Sequence, residues 1–229
     1  MPAPRKFSRE QLRAAALTLV DAHGLAALTM RSLAAVLGTG AMTIYNYVDG
    51  REGLEGLLVE AVLADALPAV TEHAEDADWR IETRRLAEAN WLAVRAHPDV
   101  IPLILTRRIT DPGTLAHGEA LLRALARSGR RGADLLYAFR AVTGFVTGFA
   151  QAELAGPLSI APDEDVRAIT DRARALPAER FPYLIEIAGA AAASTPEIEF
   201  HAGLDLLLAG LESRPAAGNP ERPAGQDRV

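Results

Sequence analysis

The 229-residue chain reads as an all-α protein: an N-terminal three-helix unit holding a helix-turn-helix, then a larger helical domain. Three observations predict this. Apolar residues recur at helical spacing along most of the chain, and no segment of useful length alternates with strand period. The breaks fall at glycine and proline, among them Gly24, His97-Pro98, Gly156-Pro157, Pro177 and Thr195-Pro196. Residues 29–51, TMRSLAAVLGTGAMTIYNYVDGR, read as two short helices joined by a glycine-bearing turn, with a further helix just after.

Ser8 with Gln11 is a capping-box start for a helix to about His23, with Leu12, Ala16, Leu19 and Val20 as its apolar stripe. Thr29 caps a second helix carrying Leu33, Val36 and Leu37, and Gly38 sits where a left-handed C-cap belongs. A third helix of roughly seven residues is predicted from Ala41 to Tyr47, stopped by Asp49-Gly50. Helix, tight turn and short helix is the arrangement that puts the second member into a DNA major groove. The hydroxyl and aromatic content of TIYNY suits a surface meeting phosphates and base edges. A fourth helix runs from about Arg51 to Leu67 with Leu54, Leu57, Leu58, Ala61 and Val62 on one face, and Pro68 ends it. Seven more helical patterns follow at 79–96, 99–107, 114–128, 133–154, 164–175, 182–193 and 197–212. Residues 214–229 are polar and rich in Pro and Gly, and are expected to be a disordered tail.

Apolar residues make up 49% of the chain, enough for a sizeable core, and cysteine is absent, which excludes disulfides and thiolate metal sites. No signal peptide is evident. The longest apolar window, Leu135 to Leu154, carries Arg140, Gln151 and Glu153, so it reads as a buried helix and not as a membrane span. A cytoplasmic protein is expected. The net charge of −6 argues against nucleic acid until its distribution is considered. Residues 1–51 carry Arg5, Lys6, Arg9, Arg13, Arg31 and Arg51 against Glu10, Asp21 and Asp49, so a basic head precedes a strongly acidic body.

The 133–154 and 197–212 helices are apolar on too many faces for a lone surface helix. Gly144 and Gly148 form a GxxxG pair, and Phe200, Leu204, Leu207, Leu208 and Leu211 make a broad stripe. They are expected at a homodimer interface, with packing inside one chain as the alternative. No P-loop, GxSxG, HExxH or EExxH pattern is present, and Glu88 and Asp205 read as solvated helix faces. An all-helical enzyme and a dimeric interaction module without DNA binding remain as the other function classes.

The head resembles the TetR family of bacterial transcriptional repressors, on LTMRSLAAVLG (28–38), TIYNYV (43–48) and DGREGLEGLL (49–58). The body resembles the tetracycline-repressor-type C-terminal domain on Trp79–His97, residues 133–153 and residues 200–213. The resemblance implies a homodimeric, ligand-responsive repressor that binds a palindromic double-stranded operator and is released by a small molecule. The DNA-binding domain is placed at 1–51 and the effector-binding and dimerisation domain at 52–213.

By position, the resemblance puts Thr29 and Arg31 at the start of the backbone-crossing helix, with Arg31 able to reach a phosphate or a guanine edge. Thr39, Gly40, Ala41, Met42 and Thr43 form the N-terminal end of the recognition helix. Tyr45 matches a phosphate-contacting tyrosine, Asn46 and Tyr47 lie where base or backbone contacts are made, and Arg51 matches a phosphate contact. Gly40 departs from the family's hydroxyl or charged cap, so base reading leans on apolar contacts, Asn46, Arg31 and DNA shape. The arm Pro2–Lys6 is a candidate further DNA contact. Candidate effector-pocket residues are Leu86, Asn90, Trp91, Leu103, Thr106, Arg107, Phe145 and Phe149. Trp91, Phe145 and Phe149 serve equally as core, and Arg107 equally as a surface ion-pair partner. Leu67 and Leu103 stand where tetracycline repressors use histidines, and the five histidines show no metal-ligand spacing. The expected effector is therefore a more hydrophobic molecule, with no metal or cofactor.

Overall fold

The computed structural model describes residues 6–66, 78–106, 112–155, 158–159, 164–165 and 167–213. Among them eleven α-helices follow in order: α1 Arg9–His23, α2 Met30–Val36, α3 Ala41–Tyr45, α4 Gly50–Asp65, α5 Trp79–Ala96, α6 Ile101–Thr106, α7 Pro112–Ala126, α8 Gly132–Ala155, α9 Arg167–Arg174, α10 Pro182–Ala191 and α11 Pro196–Ser213. Short 3₁₀ turns occupy Leu25–Ala27 and Pro98–Val100. The predicted tail, most of the N-terminal arm, Leu67, the Pro68 stop and Arg107 lie outside the described residues.

The helix ends follow their chemistry. Ser8 Oγ accepts from the Gln11 amide at 3.1 Å while the Ser8 amide donates to Gln11 Oε1 at 2.8 Å, the predicted capping box. Thr29 and Ser32 repeat it for α2: the Ser32 amide donates to Thr29 Oγ1 at 3.0 Å and the Thr29 amide to Ser32 Oγ at 2.8 Å. Gly38 sits at φ 61°, its amide reaches the Ala35 carbonyl at 3.1 Å, and the Thr39 amide reaches Ala34 at 2.9 Å. That pair of bonds is a Schellman stop, and the positive φ is why glycine is needed there. The third helix is shorter than predicted. After Tyr45 the amides of Asn46 and Tyr47 bond back to Thr43 and Ile44 in i→i+3 fashion, so these two residues form the turn into α4.

One continuous core runs from Leu12, Leu33 and Ile44 in the head to Trp91, Val142 and Phe200 in the body. Burial of each such side chain stabilises the fold by roughly 1.5–3 kcal/mol. The helix α4 is shared between the two halves: it packs on α1 on one side and on α5 and α7 on the other. Buried Glu60 of α4 takes the guanidinium of Arg9 from α1, with Arg9 Nε 2.7 Å from Oε2. In the body α5 packs on α7 and α8, and α8 packs on α11. Gly203 of α11 permits that last approach, since a Cβ there would lie 2.8 Å from the Phe145 ring. A separate small core of Ile169, Ala173 and Ala188 holds α9 to α10. No described helix is long and apolar enough to cross a membrane.

Candidate nucleic-acid interface and effector cavity

The α2–turn–α3 unit is held from behind by fully buried Leu33 and Ile44 and by Val48 at 7% exposure. What remains outward is the candidate reading face. Met42 is 77% exposed and Tyr45 52% exposed, and Asn46, Arg31 and Gly40 are exposed as well. The side chains of Arg31, Tyr45 and Asn46 have no hydrogen-bond or ion-pair partner within the described residues, so their polar groups are available to a ligand. Ala41 is half-buried beneath them. Gly40 is the N-cap of α3 and supplies no side-chain bond, as the sequence implied. Thr39 Oγ1 instead bonds Thr43 Oγ1 at 3.1 Å across the first turn.

Three predicted contacts are engaged inside the head. Thr29 spends its hydroxyl on the α2 cap. Tyr47 is half-buried; its hydroxyl accepts from the Phe7 amide at 2.9 Å, and its ring lies 6.3 Å from that of Phe7, fastening the entry to α1. Arg51 is the most extensively engaged of the three. Its Nε lies 2.6 Å from Glu55 Oε1, Nη1 donates to the Leu28 carbonyl at 2.9 Å and Nη2 to Leu25 at 3.4 Å. The guanidinium satisfies carbonyls at the 3₁₀ turn ahead of α2 and is not held out toward a phosphate.

Head meets body at His97, the C-cap of α5. Its Nδ1 lies 3.0 Å from both carboxylate oxygens of Asp21 in α1, and its Nε2 lies 3.5 Å from Asp65 at the end of α4.

A cavity of about 490 Å³ opens within the body. Leu63 of α4, Ala87, Asn90 and Val94 of α5, and Ile104 of α6 form part of its wall. Thr114, His117 and Leu121 of α7 face Phe139, Val142, Thr143, Val146 and Thr147 of α8 across it. The Thr143 and Thr147 hydroxyls each donate to a carbonyl of their own helix at 2.9 Å, which leaves that wall largely apolar. Asn90 Oδ1 is buried without a hydrogen-bond partner, so its desolvation is uncompensated until something enters. Among the described residues no cluster of three or more His, Asp or Glu is placed to hold a metal.

Of the candidate pocket residues, Asn90 alone among the described ones lines this cavity. Trp91, Phe145 and Phe149 form an aromatic core with Phe200: Trp91 stacks on Phe200 at 4.4 Å and 9°, and Phe149 meets both edge-on. Leu86 and Leu103 are buried in the core away from the cavity. Thr106 is exposed and bonds the Pro102 carbonyl at 2.7 Å. The missed wall of α8 (Phe139, Val142, Thr143, Val146, Thr147) has i, i+3, i+4 spacing, but that helix is apolar all round and its sequence does not distinguish the cavity face from the face toward α11. Beside the aromatic core, burial pushes the Glu153 carboxyl above its ordinary value, against the opposing pull of Arg95 at 2.7 Å and the Trp91 indole at 3.3 Å.

A helix-turn-helix head joined by a shared helix to a cavity-bearing helical body defines the architecture as that of a helix-turn-helix protein with an appended helical domain. The family model "Tetracyclin repressor-like, C-terminal domain" matches residues 72–214. The chain is 32% identical over 141 residues to the HTH-type transcriptional repressor DrrR1 of Streptomyces coeruleorubidus, covering 61% of this chain and about half (51%) of that one. It is 30% identical over 212 residues to the class D tetracycline repressor protein of Escherichia coli, covering 90% of each. Among solved structures it is similar to the Streptomyces coelicolor TetR family protein ActR in complex with actinorhodin, with TM-score 0.73, 25% identity, and 92% and 98% of the two chains covered. The chain belongs to the TetR family of transcriptional regulators, which are not enzymes.

Proposed function

We propose that this chain is a ligand-responsive repressor that binds a palindromic DNA operator as a homodimer in the cytoplasm and leaves it when a small, mostly apolar molecule fills the body cavity. One observation carries the reading: α4 supplies Leu54 and Leu58 to the head core and Leu63 to the cavity wall. A molecule that repositions α4 from the cavity side therefore moves the head with it. The His97 contacts to Asp21 and Asp65 add a second point of transmission.

Residues 1–51 act as the reading head and 52–213 as the sensing and pairing body. On the head, Arg31, Thr43, Met42, Tyr45 and Asn46 meet DNA, helped by the basic bias of residues 1–51. Thr39, Gly40 and Ala41 shape the same end of α3, while Thr29, Tyr47 and Arg51 hold that surface in place. Pairing uses the outward faces of α8 and α11, where Gly144 and Gly148 are open above the helix and Leu206 is 77% exposed. ActR, to which the chain is similar, has been solved in complex with actinorhodin, which supports a small molecule as effector.

The test is a gel-shift titration of duplex DNA from the region upstream of the gene, repeated with candidate effectors. Salt-sensitive binding that an effector reverses is expected. A protein that binds no duplex more tightly than random DNA at low salt would sink the reading.

A further inference from the structure

We infer that the body cavity selects an amphipathic organic anion: a ring body lies against the apolar wall of α8, its acidic group on Arg140 and a donor hydrogen on Asn90. This rests on the reading of that cavity as the effector site. Among the described lining residues there is no Asp or Glu, and Arg140 is the one Arg or Lys. The body is strongly acidic, and its other arginines are widely paired: Arg80 with Glu212, Arg84 with Asp205, Arg95 with Glu153 and Glu197, and Arg172 with Glu164. Arg140, which lines the cavity and also reaches solvent, has no such partner within the described residues. A guanidinium at the edge of an apolar chamber binds a carboxylate or sulfonate by paired N–H donors, with strength gained from the low polarity around it. A cationic guest would find no described counter-charge and would lose its hydration uncompensated.

Asn90 sets the second point. Its buried Oδ1 is unpartnered and accepts a hydroxyl or N–H from a guest. The volume of about 490 Å³ suits a molecule of two or three rings. Gly144 lines the cavity one turn from Arg140 on α8.

The probes are 8-anilino-1-naphthalenesulfonate and N-phenyl-1-naphthylamine, which share the rings and the anilino N–H and differ in the sulfonate. Fluorescence titration of the full chain is expected to show the sulfonate binding about tenfold more tightly. Arg140→Gln should abolish that preference and Arg140→Lys retain most of it. Asn90→Leu should weaken both probes alike. Thr143→Trp, which fills the chamber, should remove both, with helicity checked by circular dichroism. Equal affinities, a preference that survives Arg140→Gln, or binding that survives Thr143→Trp overturns the proposal. So does a change in particle size for Arg140→Gln, which would make Arg140 a contact between copies. Anion-selective binding with no effect on DNA keeps this site and removes the regulatory reading; DNA release by the neutral probe without preference does the reverse.

Discussion

The guanidinium of Arg51 closes on the carbonyl of Leu28 at 2.9 Å, tying the first turn of α4 to the segment that launches α2. Its second hold, on Glu55 at 2.6 Å, fixes the side chain along α4. Two elements far apart in sequence are thereby locked at the angle that presents α3. Arg51→Ala is expected to lower head stability by about 1 kcal/mol, the charged hydrogen bond being discounted for its half-exposed side chain. Urea unfolding measures this. A pure phosphate contact would instead leave the unfolding midpoint unchanged and flatten the salt dependence of DNA binding.

Arg31 and Tyr45 should behave in the opposite way. Arg31→Ala is expected to reduce DNA affinity about tenfold and to lessen the slope of log affinity against log salt by about 1, with the unfolding midpoint unmoved. Tyr45→Phe should cost less, since only its hydroxyl is removed from a ring that is already 52% exposed. Fluorescence anisotropy at several salt concentrations separates the two effects.

Gly53 and Gly148 predict contrasting outcomes. A Cβ on Gly53 would lie 2.9 Å from Val48 Cβ and 3.2 Å from its carbonyl carbon, where backbone leaves no room. Overpacking of that kind costs about 1–3 kcal/mol and outweighs the roughly 1 kcal/mol that alanine gains over glycine in a helix. Gly53→Ala should therefore destabilise the head. Gly148 has nothing within 4 Å of such a Cβ. Gly148→Leu should leave the subunit folded and weaken self-association, read by light scattering over a dilution series.

Glu153 makes a pH-dependent contribution. Burial raises its carboxyl above the ordinary 4.5, so between 4.5 and the raised value the native state holds more protons than the unfolded chain. Its contribution is full below 4.5 and is lost as pH rises through the folded value. Glu153→Gln retains an acceptor for the Trp91 indole and removes this titration. The stability difference, variant minus parent, should accordingly move in the variant's favour from pH 4.5 upward. Parallel curves would contradict it.

The head was legible because its instructions are local. Ser8–Gln11, Thr29 and Gly38 each act within one or two turns, and the structure returns each as a cap or a stop. The hold of Arg51 on the Leu25 and Leu28 carbonyls is not legible there, because those partners lie more than twenty positions away and leave no trace in spacing. The cavity was harder still. Asn90 stood out as a polar interruption of an amphipathic helix, whereas Trp91, Phe145 and Phe149 lie on the faces that meet Phe200. Which face of α8 stays open depends on how α7 and α11 pack around it, a tertiary fact with no periodic signature.

The central claim is that the α3 face reads DNA under the control of the body. Its most direct measurement is anisotropy of a labelled duplex from the gene's own upstream region, titrated with the full chain and with Arg31→Ala at rising salt. The account predicts saturable binding of two chains per site, weakened by salt, and an about tenfold loss in the variant. Binding no tighter than to a random duplex, or a variant indistinguishable from the parent, would contradict it.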